Sequence, residues 1–282
     1  MSTSKIVERK EVILNDSLTK MVISGWGNEA FENSVVEKIT YLSDGLKVKG
    51  YIAYPKDSSK KYPCIIWNRG GAGNHGAIDE FTARGIYGQL ASWGYCVFAS
   101  QYRGNAGGEG KEELGGKDVN DILNLVPLAD EIPSADKTKW GIEGWSRGGM
   151  MTYIALTKTD IFNCAVLVGA ISDLENISND FSDLRKYYED YVSKINVEEE
   201  LKKRSAITFV ENLPQIPYLI MHGGADTIIS PAQSTSMAEK FQELNYNHKL
   251  VILENGDHYL KNYRKEVDEL RREWYTEFLS EA

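Results

Sequence analysis

The segment GIEGWSRGGM, residues 141–150, places a serine between glycines where an apolar stretch meets a helix-like one. Residues 144–148 fit the pattern G-x-S-x-G, in which a strand turns sharply into a helix and exposes the serine hydroxyl. The glycines are expected because a side chain would clash in so sharp a turn. Ser146 is therefore a candidate nucleophile, and a plain turn serine is the alternative interpretation.

A serine is a weak nucleophile unless a base takes its proton, and histidine is the usual base. His258 lies in the loop ENGDHYL after the last predicted strand, where a side chain can reach a serine at the strand ends. We predict His258 as the base, and a solvent-exposed loop histidine is the alternative. The other histidines are His75, in a glycine-rich loop, His222, at the end of a predicted strand, and His248, at the start of one.

The base needs a carboxylate to orient it. Asp226, in MHGGADTIISP, follows a predicted strand and precedes a helix, so it should lie at the same edge of the sheet as Ser146. Asp257 is a rival, but a residue adjacent to His258 seldom faces its ring. A capping or turn role for Asp226 is the alternative. The chain order Ser146, Asp226, His258 is that of α/β-hydrolases.

The tetrahedral intermediate of acyl transfer also needs hydrogen-bond donors for its oxyanion. The backbone N–H of Arg147 directly follows the candidate nucleophile and would serve. The second donor should come from the loop after the first core strand, where we favour the N–H of Gly71 over that of Gly70. A flexible loop without this role is the alternative.

At these residues the chain resembles the α/β-hydrolase superfamily, and within it the catalytic domain of prolyl oligopeptidase-like serine peptidases. The resemblance implies a triad of Ser146, Asp226 and His258. The chain departs from the family at Arg69, where histidine or tyrosine is common. A backbone donor for the oxyanion is therefore favoured. The segments that carry it are DGLKVKGYIAYP, YPCIIWNRGG, QYRGNAGGEG, GWSRGG, RSAITFVENLPQIPYLIMHGGADTIISPAQS and ENGDH.

The segments that must position these residues alternate between strand and helix. Residues 35–55 predict an antiparallel hairpin that turns at Asp44-Gly45. From residue 62 onward, almost wholly apolar strands alternate with helical segments, which indicates a mostly parallel, twisted α/β sheet with helices on both faces. The fold predicted is that of an α/β-hydrolase, whose glycine-rich loops fall at the carboxyl ends of strands.

Two segments lie outside this alternation. Residues 1–34 are predicted as an N-terminal arm or extra strands, in which EVILND and KMVISGW could be short strands. Residues 35–282 form the predicted hydrolase domain. Within it, residues 171–212 are too long for a simple crossover and are predicted as a small helical cap, with a plain surface helix pair as the alternative. The large β-propeller of many members of the family is expected to be absent.

Composition limits the partners and the compartment. A formal net charge of −9 argues against nucleic acid, since no excess of Lys and Arg exists to neutralise phosphates. No stretch reaches the roughly 18 apolar residues of a membrane span, and no signal peptide is visible, so we expect a cytoplasmic protein. The three cysteines are interpreted as buried free thiols. Histidine and cysteine spacing predicts no metal site, and no cofactor motif is visible.

The expected function is that of a serine hydrolase that cleaves peptide, amide or ester bonds of a small-molecule or short-peptide substrate. A prolyl oligopeptidase-like peptidase is favoured. A carboxylesterase or deacylase is the alternative, and a non-catalytic binding module on a hydrolase scaffold is a third hypothesis. Arg103, in QYRG, is interpreted as a buried ion-pair partner rather than a substrate clamp. An apolar edge strand or the N-terminal arm could support a homo-oligomer.

Overall fold

The structure is a computed structural model of the 282-residue chain, and it describes residues 4–175, 186, 188, 189, 191 and 196–279. The chain forms two compact units. The first consists of Met1–Glu112 and Asn120–Trp140, and the second of Glu113–Val119 and Gly141–Ala282. The predicted division into an arm and a hydrolase domain stays a prediction.

A long antiparallel hairpin belongs to the first unit. Strand β2 (Ser34–Ser43) pairs along its whole length with β3 (Leu46–Pro55). Asp44 and Gly45 form the two-residue turn, with φ values of 50° and 82°. Left-handed values at both positions match the strand twist of tight hairpins, which is why Asp-Gly is favoured there. The predicted hairpin is confirmed.

The N-terminal segment precedes this hairpin with one strand and two helices. Strand β1 (Ile6–Glu11) pairs antiparallel with β2 and forms an edge of the sheet. It is followed by α1 (Asp16–Trp26) and α2 (Asn28–Glu32). An extra strand is therefore present, but it ends at Glu11, the first residue of EVILND, and precedes KMVISGW.

The interpretation of KMVISGW as a strand is wrong, because capping and packing favour a helix there. The Asn15 side chain accepts the backbone N–H of Leu18 and starts α1, and Gly27, with φ of 87°, ends it. Trp26 then packs on Gly85, where an added Cβ would lie 2.5 Å from the indole ring. The two residues are far apart in sequence, so local periodicity does not reveal their contact.

The remaining strands of the first unit follow the predicted alternation. β5 (Cys96–Ser100) pairs antiparallel with β3 and parallel with β4 (Tyr62–Asn68). With β6 (Ala135–Trp145), the strand order is β1-β2-β3-β5-β4-β6. Between β5 and β6 the chain forms two short helices, because Pro127 is tolerated only in the first turn of the second. The elements are β4 (Tyr62–Asn68), α3 (Glu80–Ser92), β5 (Cys96–Ser100), α4 (Val119–Leu123), a 3-10 helix (Val126–Glu131) and β6 (Ala135–Trp145).

The second unit contains the end of β6 and three further strands, β7 (Phe162–Val168), β8 (Tyr218–Gly223) and β9 (His248–Leu253), in the order β6-β7-β8-β9. The pairs β7–β8 and β8–β9 are parallel, and β8 is wholly buried, as expected for a strand covered on both faces. The predicted mostly parallel sheet is confirmed. Among the residues described after β6, the strands and α-helices are α5 (Arg147–Leu156), β7 (Phe162–Val168), α6 (Val197–Lys202), β8 (Tyr218–Gly223), α7 (Ala232–Glu243), β9 (His248–Leu253) and α8 (Arg264–Leu279). Short 3-10 helices in the same described residues are Ala206–Thr208, Val210–Asn212 and Lys261–Tyr263.

Arg103 lies in a buried ion-pair cluster of the first unit. Its guanidinium donates to Asp121 at 2.8 Å and to Asp44 at 2.8 Å, and the Asp121 side chain is fully buried. Burial opposes the charged form, but these two carboxylates outweigh it and raise the pKa of Arg103. The interpretation of Arg103 as an ion-pair partner is confirmed.

The cysteines are buried free thiols in strands, as predicted. Cys64 lies in β4, Cys96 in β5 and Cys164 in β7. Burial raises the pKa of Cys96 to about 12, so this thiol stays protonated near neutral pH.

The predicted cap over residues 171–212 is described only in part, because residues 176–185, 187, 190 and 192–195 lie outside the described residues. Of its described part, Ser172 donates from its hydroxyl to the Gln233 carbonyl at 2.7 Å, and Leu174 donates its N–H to the Ser205 hydroxyl. These bonds fix the start of the segment to α7 and to the turn after α6. Across the helices that the structure describes, none combines the length and apolar character needed to span a bilayer.

Candidate active site

A strained turn joins β6 to α5. β6 ends at Trp145 and α5 begins at Arg147, so Ser146 occupies the turn with φ of 55° and ψ of −122°. L-residues rarely adopt a positive φ, and such strain concentrates at functional sites. A Cβ added at Gly144 would lie 2.2 Å from the Gly148 carbonyl oxygen, which explains the first glycine of the motif.

The backbone of Ser146 is fixed to the carboxyl end of β7. Its N–H donates to the Val168 carbonyl at 2.8 Å, and the next residue of that strand end, Gly169, donates to the Met221 carbonyl at 2.9 Å. The His258 ring lies against Gly169, whose added Cβ would be 3.5 Å from ring atoms Nδ1 and Cε1. The strand ends therefore bring the His258 ring beside the residue that follows Val168.

Glycines allow the loops after β8 and β9 to approach each other. The N–H of Ala225 donates to the Gly256 carbonyl at 3.0 Å. A Cβ at Gly223 would lie 2.2 Å from that same carbonyl, and one at Gly224 would lie 2.5 Å from the Glu254 carbonyl. The glycine pair in HGGAD is thus required by the close approach of two backbones, which places Asp226 next to the loop that carries His258.

The Asp226 carboxylate accepts hydrogen bonds at both oxygens. Its Oδ1 accepts from the N–H groups of Ile228 at 2.8 Å and Ile229 at 2.9 Å. Its Oδ2 lies 2.7 Å from His258 Nδ1 and 3.2 Å from His222 Nε2. Burial opposes ionisation, but the hydrogen bonds from His222, His258 and Ile229 outweigh it, so the pKa of Asp226 lies well below its usual value.

This contact determines the proton position on His258. An ionised carboxylate can only accept, so Nδ1 of His258 carries the hydrogen that it donates to Asp226. In the neutral ring Nε2 then has a free lone pair and can act as a base. The His258 side chain is 10% exposed, which leaves the ring partly accessible to substrate.

The alternative residues have other partners. Asp257 Oδ1 accepts the backbone N–H of Tyr259 at 3.1 Å and of Lys261 at 3.3 Å, so this carboxylate stabilises its own turn. His248 lies at the start of β9, where its Nδ1 is 3.0 Å from the Tyr246 carbonyl. The structure therefore pairs His258 with Asp226 and not with Asp257, and His248 contacts a backbone carbonyl instead.

One histidine in contact with the site was not predicted from the sequence. His222 is completely buried, and its Nε2 contacts the Asp226 carboxylate. The sequence signal is the four-residue spacing in HGGAD, which would suffice once the intervening glycines were read as a close turn.

The predicted oxyanion donors lie in different parts of the chain. The N–H of Arg147 is at the first position of α5, where N–H groups have no carbonyl partner within the helix. Gly70 and Gly71 lie in the first unit, in the loop after β4. Gly71 has φ of 65°, and a Cβ there would lie 2.3 Å from the His75 carbonyl, so this position requires glycine.

Arg69 holds the loop that contains these glycines. Its guanidinium donates to the carbonyls of Gln101 at 2.8 Å, Gly70 at 3.0 Å and Gly73 at 2.9 Å, and its side chain is 1% exposed. The ring of Tyr102 lies under the same guanidinium, 5.1 Å from it, and its hydroxyl donates to the Arg69 carbonyl. The buried Arg69 guanidinium therefore stabilises the loop by hydrogen bonds to its backbone carbonyls.

The sheet and the nucleophile turn define an α/β-hydrolase, and solved structures share this fold. Acylaminoacyl peptidase from Pyrococcus horikoshii has a TM-score of 0.74 and 24% identity, with 89% of this chain and 43% of that chain covered. An esterase from Pyrococcus furiosus has a TM-score of 0.69 and 17% identity, with 90% and 93% covered.

Sequence comparison identifies the family. Residues 85–281 match the prolyl oligopeptidase family. The uncharacterized peptidase YtmA of Bacillus subtilis is 34% identical over 212 residues, which cover 73% of this chain and 79% of that protein. Other curated relatives are much longer, and the chain spans 23% to 30% of three of them. The chain belongs to the prolyl oligopeptidase family of serine peptidases.

Proposed function

We propose that this protein hydrolyses the amide or ester bond of a small acylated compound or short peptide through an acyl-enzyme on Ser146. The observation that carries the proposal is the 2.7 Å contact between Asp226 and His258. The His258 ring lies against Gly169, and the preceding residue, Val168, accepts the backbone N–H of Ser146. A peptidase is favoured because the chain is similar along most of its length to proteins described as peptidases.

In the acylation step, Ser146 Oγ attacks the substrate carbonyl carbon and its proton passes to His258 Nε2. The imidazolium that forms is stabilised by Asp226, which stays ionised because its four donors favour the charged form. His258 then gives the proton to the departing amine or alcohol, the bond to the leaving group breaks, and the acyl group stays on Ser146.

Deacylation repeats these steps with water. His258 takes a proton from water, the resulting hydroxide oxygen attacks the acyl carbon, and the ester bond to Ser146 breaks. The proton returns to Ser146 Oγ and the product leaves as a carboxylic acid. In both steps the N–H of Arg147, at the start of α5, would donate to the oxyanion, and the positive end of the helix dipole would add to this stabilisation.

The assignment of the second oxyanion donor to Gly71 is tested by a matched glycine pair. Gly71→Ala introduces a Cβ at 2.3 Å from a carbonyl, whereas Gly73 has a similar φ of 55° with nothing within 4 Å of an added Cβ. Because Gly71→Ala must move the backbone N–H, we expect kcat to fall by about 10²- to 10³-fold, the usual cost of one lost oxyanion donor. Gly73→Ala should stay within a few-fold of wild type. Equal, small effects in both would remove Gly71 from the site.

The substrate class is tested with a panel of acyl donors. The same three side chains can cleave amides and esters, so aminoacyl and N-acyl-aminoacyl p-nitroanilides are compared with p-nitrophenyl acetate and butyrate. We expect the ratio of kcat/KM between wild type and Ser146→Ala to be large for both classes, and anilide cleavage to identify a peptidase. Turnover of the esters with none of the anilides would make the protein an esterase.

The cytoplasmic location stays a prediction from the N-terminal sequence.

A further inference from the structure

His222 contacts the Asp226 carboxylate and has a partner at each ring nitrogen. Its Nδ1 is 2.7 Å from the Ser234 hydroxyl, and its Nε2 is 3.0 Å from the Ile229 carbonyl and 3.2 Å from Asp226 Oδ2. The His222 side chain is completely buried, and Ser234 is 2% exposed. This ring therefore contacts the site from the side that substrate cannot reach.

The partners determine which nitrogen of His222 carries the hydrogen. A carbonyl and a carboxylate can only accept, so Nε2, which faces both, is the donor. In the neutral ring Nδ1 is then an acceptor, and the Ser234 hydroxyl, which can donate, faces it. His222 thus has the opposite tautomer from His258, whose Nδ1 donates to the same carboxylate oxygen.

We propose that His222 is a positioning residue for the hydrolytic reaction, and the proposal rests on the function proposed above. The N–H groups of Ile228 and Ile229 hold Oδ1 of Asp226, and His222 holds Oδ2, the oxygen that His258 also contacts. Contacts on both oxygens prevent the carboxylate from rotating away from His258.

Two substitutions separate the two ends of the His222 ring. In His222→Gln the amide nitrogen occupies about the place of Nε2 and can still donate to Asp226. In His222→Asn the shorter amide reaches only toward Ser234, and the Asp226 contact is lost. A purely packing role predicts similar effects of both on stability and no effect on the pH profile.

The measurements are kcat, KM and the pH profile of kcat/KM for wild type and both variants. In His222→Asn we expect kcat to fall by about 10- to 100-fold with little change in KM. The reason is that a misplaced Asp226 stabilises the imidazolium of the transition state less, whereas substrate binding does not depend on it. The acidic limb of the profile should move to lower pH, since a carboxylate that has turned away from His258 stabilises the protonated ring less. His222→Gln should recover most of kcat and the wild-type limb.

A spectroscopic measurement of the wild-type tautomer covers the case in which His222→Asn does not fold. The chain has four histidines, so a spectrum of the protein labelled with ¹⁵N-histidine contains few imidazole signals, and the signal lost in His222→Gln assigns residue 222. We expect the Nε2–H tautomer. The Nδ1–H tautomer at His222 would overturn the proposal, and so would a folded His222→Gln that loses as much kcat as is expected for His222→Asn.

Failure of this proposal differs from failure of the proposed function. Wild-type kcat and an unmoved acidic limb in a folded His222→Asn, with turnover still dependent on Ser146, would overturn only the positioning role. Turnover that Ser146→Ala leaves unchanged, or its absence in wild type, would overturn the serine mechanism and the role of His222 within it, whatever tautomer the spectrum shows.

Discussion

Ser146→Ala should lower kcat by a factor on the order of 10⁶, the loss seen when the nucleophile of such a triad is removed. The hydroxyl is the only group that the substitution deletes, and alanine meets the same conformational cost as serine at φ of 55°. The melting temperature should therefore change little. The measurement is single-turnover and steady-state hydrolysis of the best substrate of the panel.

A second serine serves as the control for this result. Ser230 lies in the loop after Asp226, where its hydroxyl accepts the backbone N–H of Ala232. Ser230→Ala should retain kcat within a few-fold of wild type. If Ser146→Ala kept a tenth or more of wild-type turnover while folded, Ser146 would not be the nucleophile.

Asp226→Asn should lower kcat by about 10⁴-fold, because it reverses the tautomer of His258. The carbonyl oxygen of the new amide must stay toward the N–H groups of Ile228 and Ile229, so the amide NH₂ replaces Oδ2. A donor then faces His258 Nδ1, which must become the acceptor. The hydrogen moves to Nε2, and the ring can no longer take the proton of Ser146.

The neighbouring carboxylate provides a matched control for Asp226→Asn. Asp257 is adjacent to His258 in sequence but accepts hydrogen bonds from the turn that follows it. Asp257→Asn should retain kcat within a few-fold, and both variants are compared at several pH values. A large loss in Asp257→Asn with a small one in Asp226→Asn would exchange the roles of the two residues.

The sequence predicts most of the fold because hydrophobic patterning is a local property. Apolar runs such as PYLIM and CAVLV mark strands buried on both faces, and Asp44-Gly45 marks the hairpin turn. The pairing of Asp226 with His258 was also predictable, since both residues follow neighbouring parallel strands, β8 and β9. Loops at the carboxyl ends of such strands meet at one edge of the sheet.

Contacts distant in sequence were not predictable in the same way. Residues 20–26 form a helix whose Trp26 packs against Gly85, a partner that local periodicity does not reveal. The role of Arg69 within its own loop depends on the direction of its side chain, which composition and spacing do not specify. The contact of His222 with Asp226 likewise depends on how two glycines turn the chain between them.

Covalent acylation of Ser146 is the step on which the proposed function depends, and locating the modified residue tests that step. The protein is treated with a fluorophosphonate, digested, and analysed by tandem mass spectrometry. We predict one adduct, on the serine of the peptide that contains Gly144-Trp145-Ser146, in native protein and not after heat denaturation. Inactivation with the adduct on another residue, or turnover that persists once Ser146 is fully modified, would show that Ser146 is not the nucleophile.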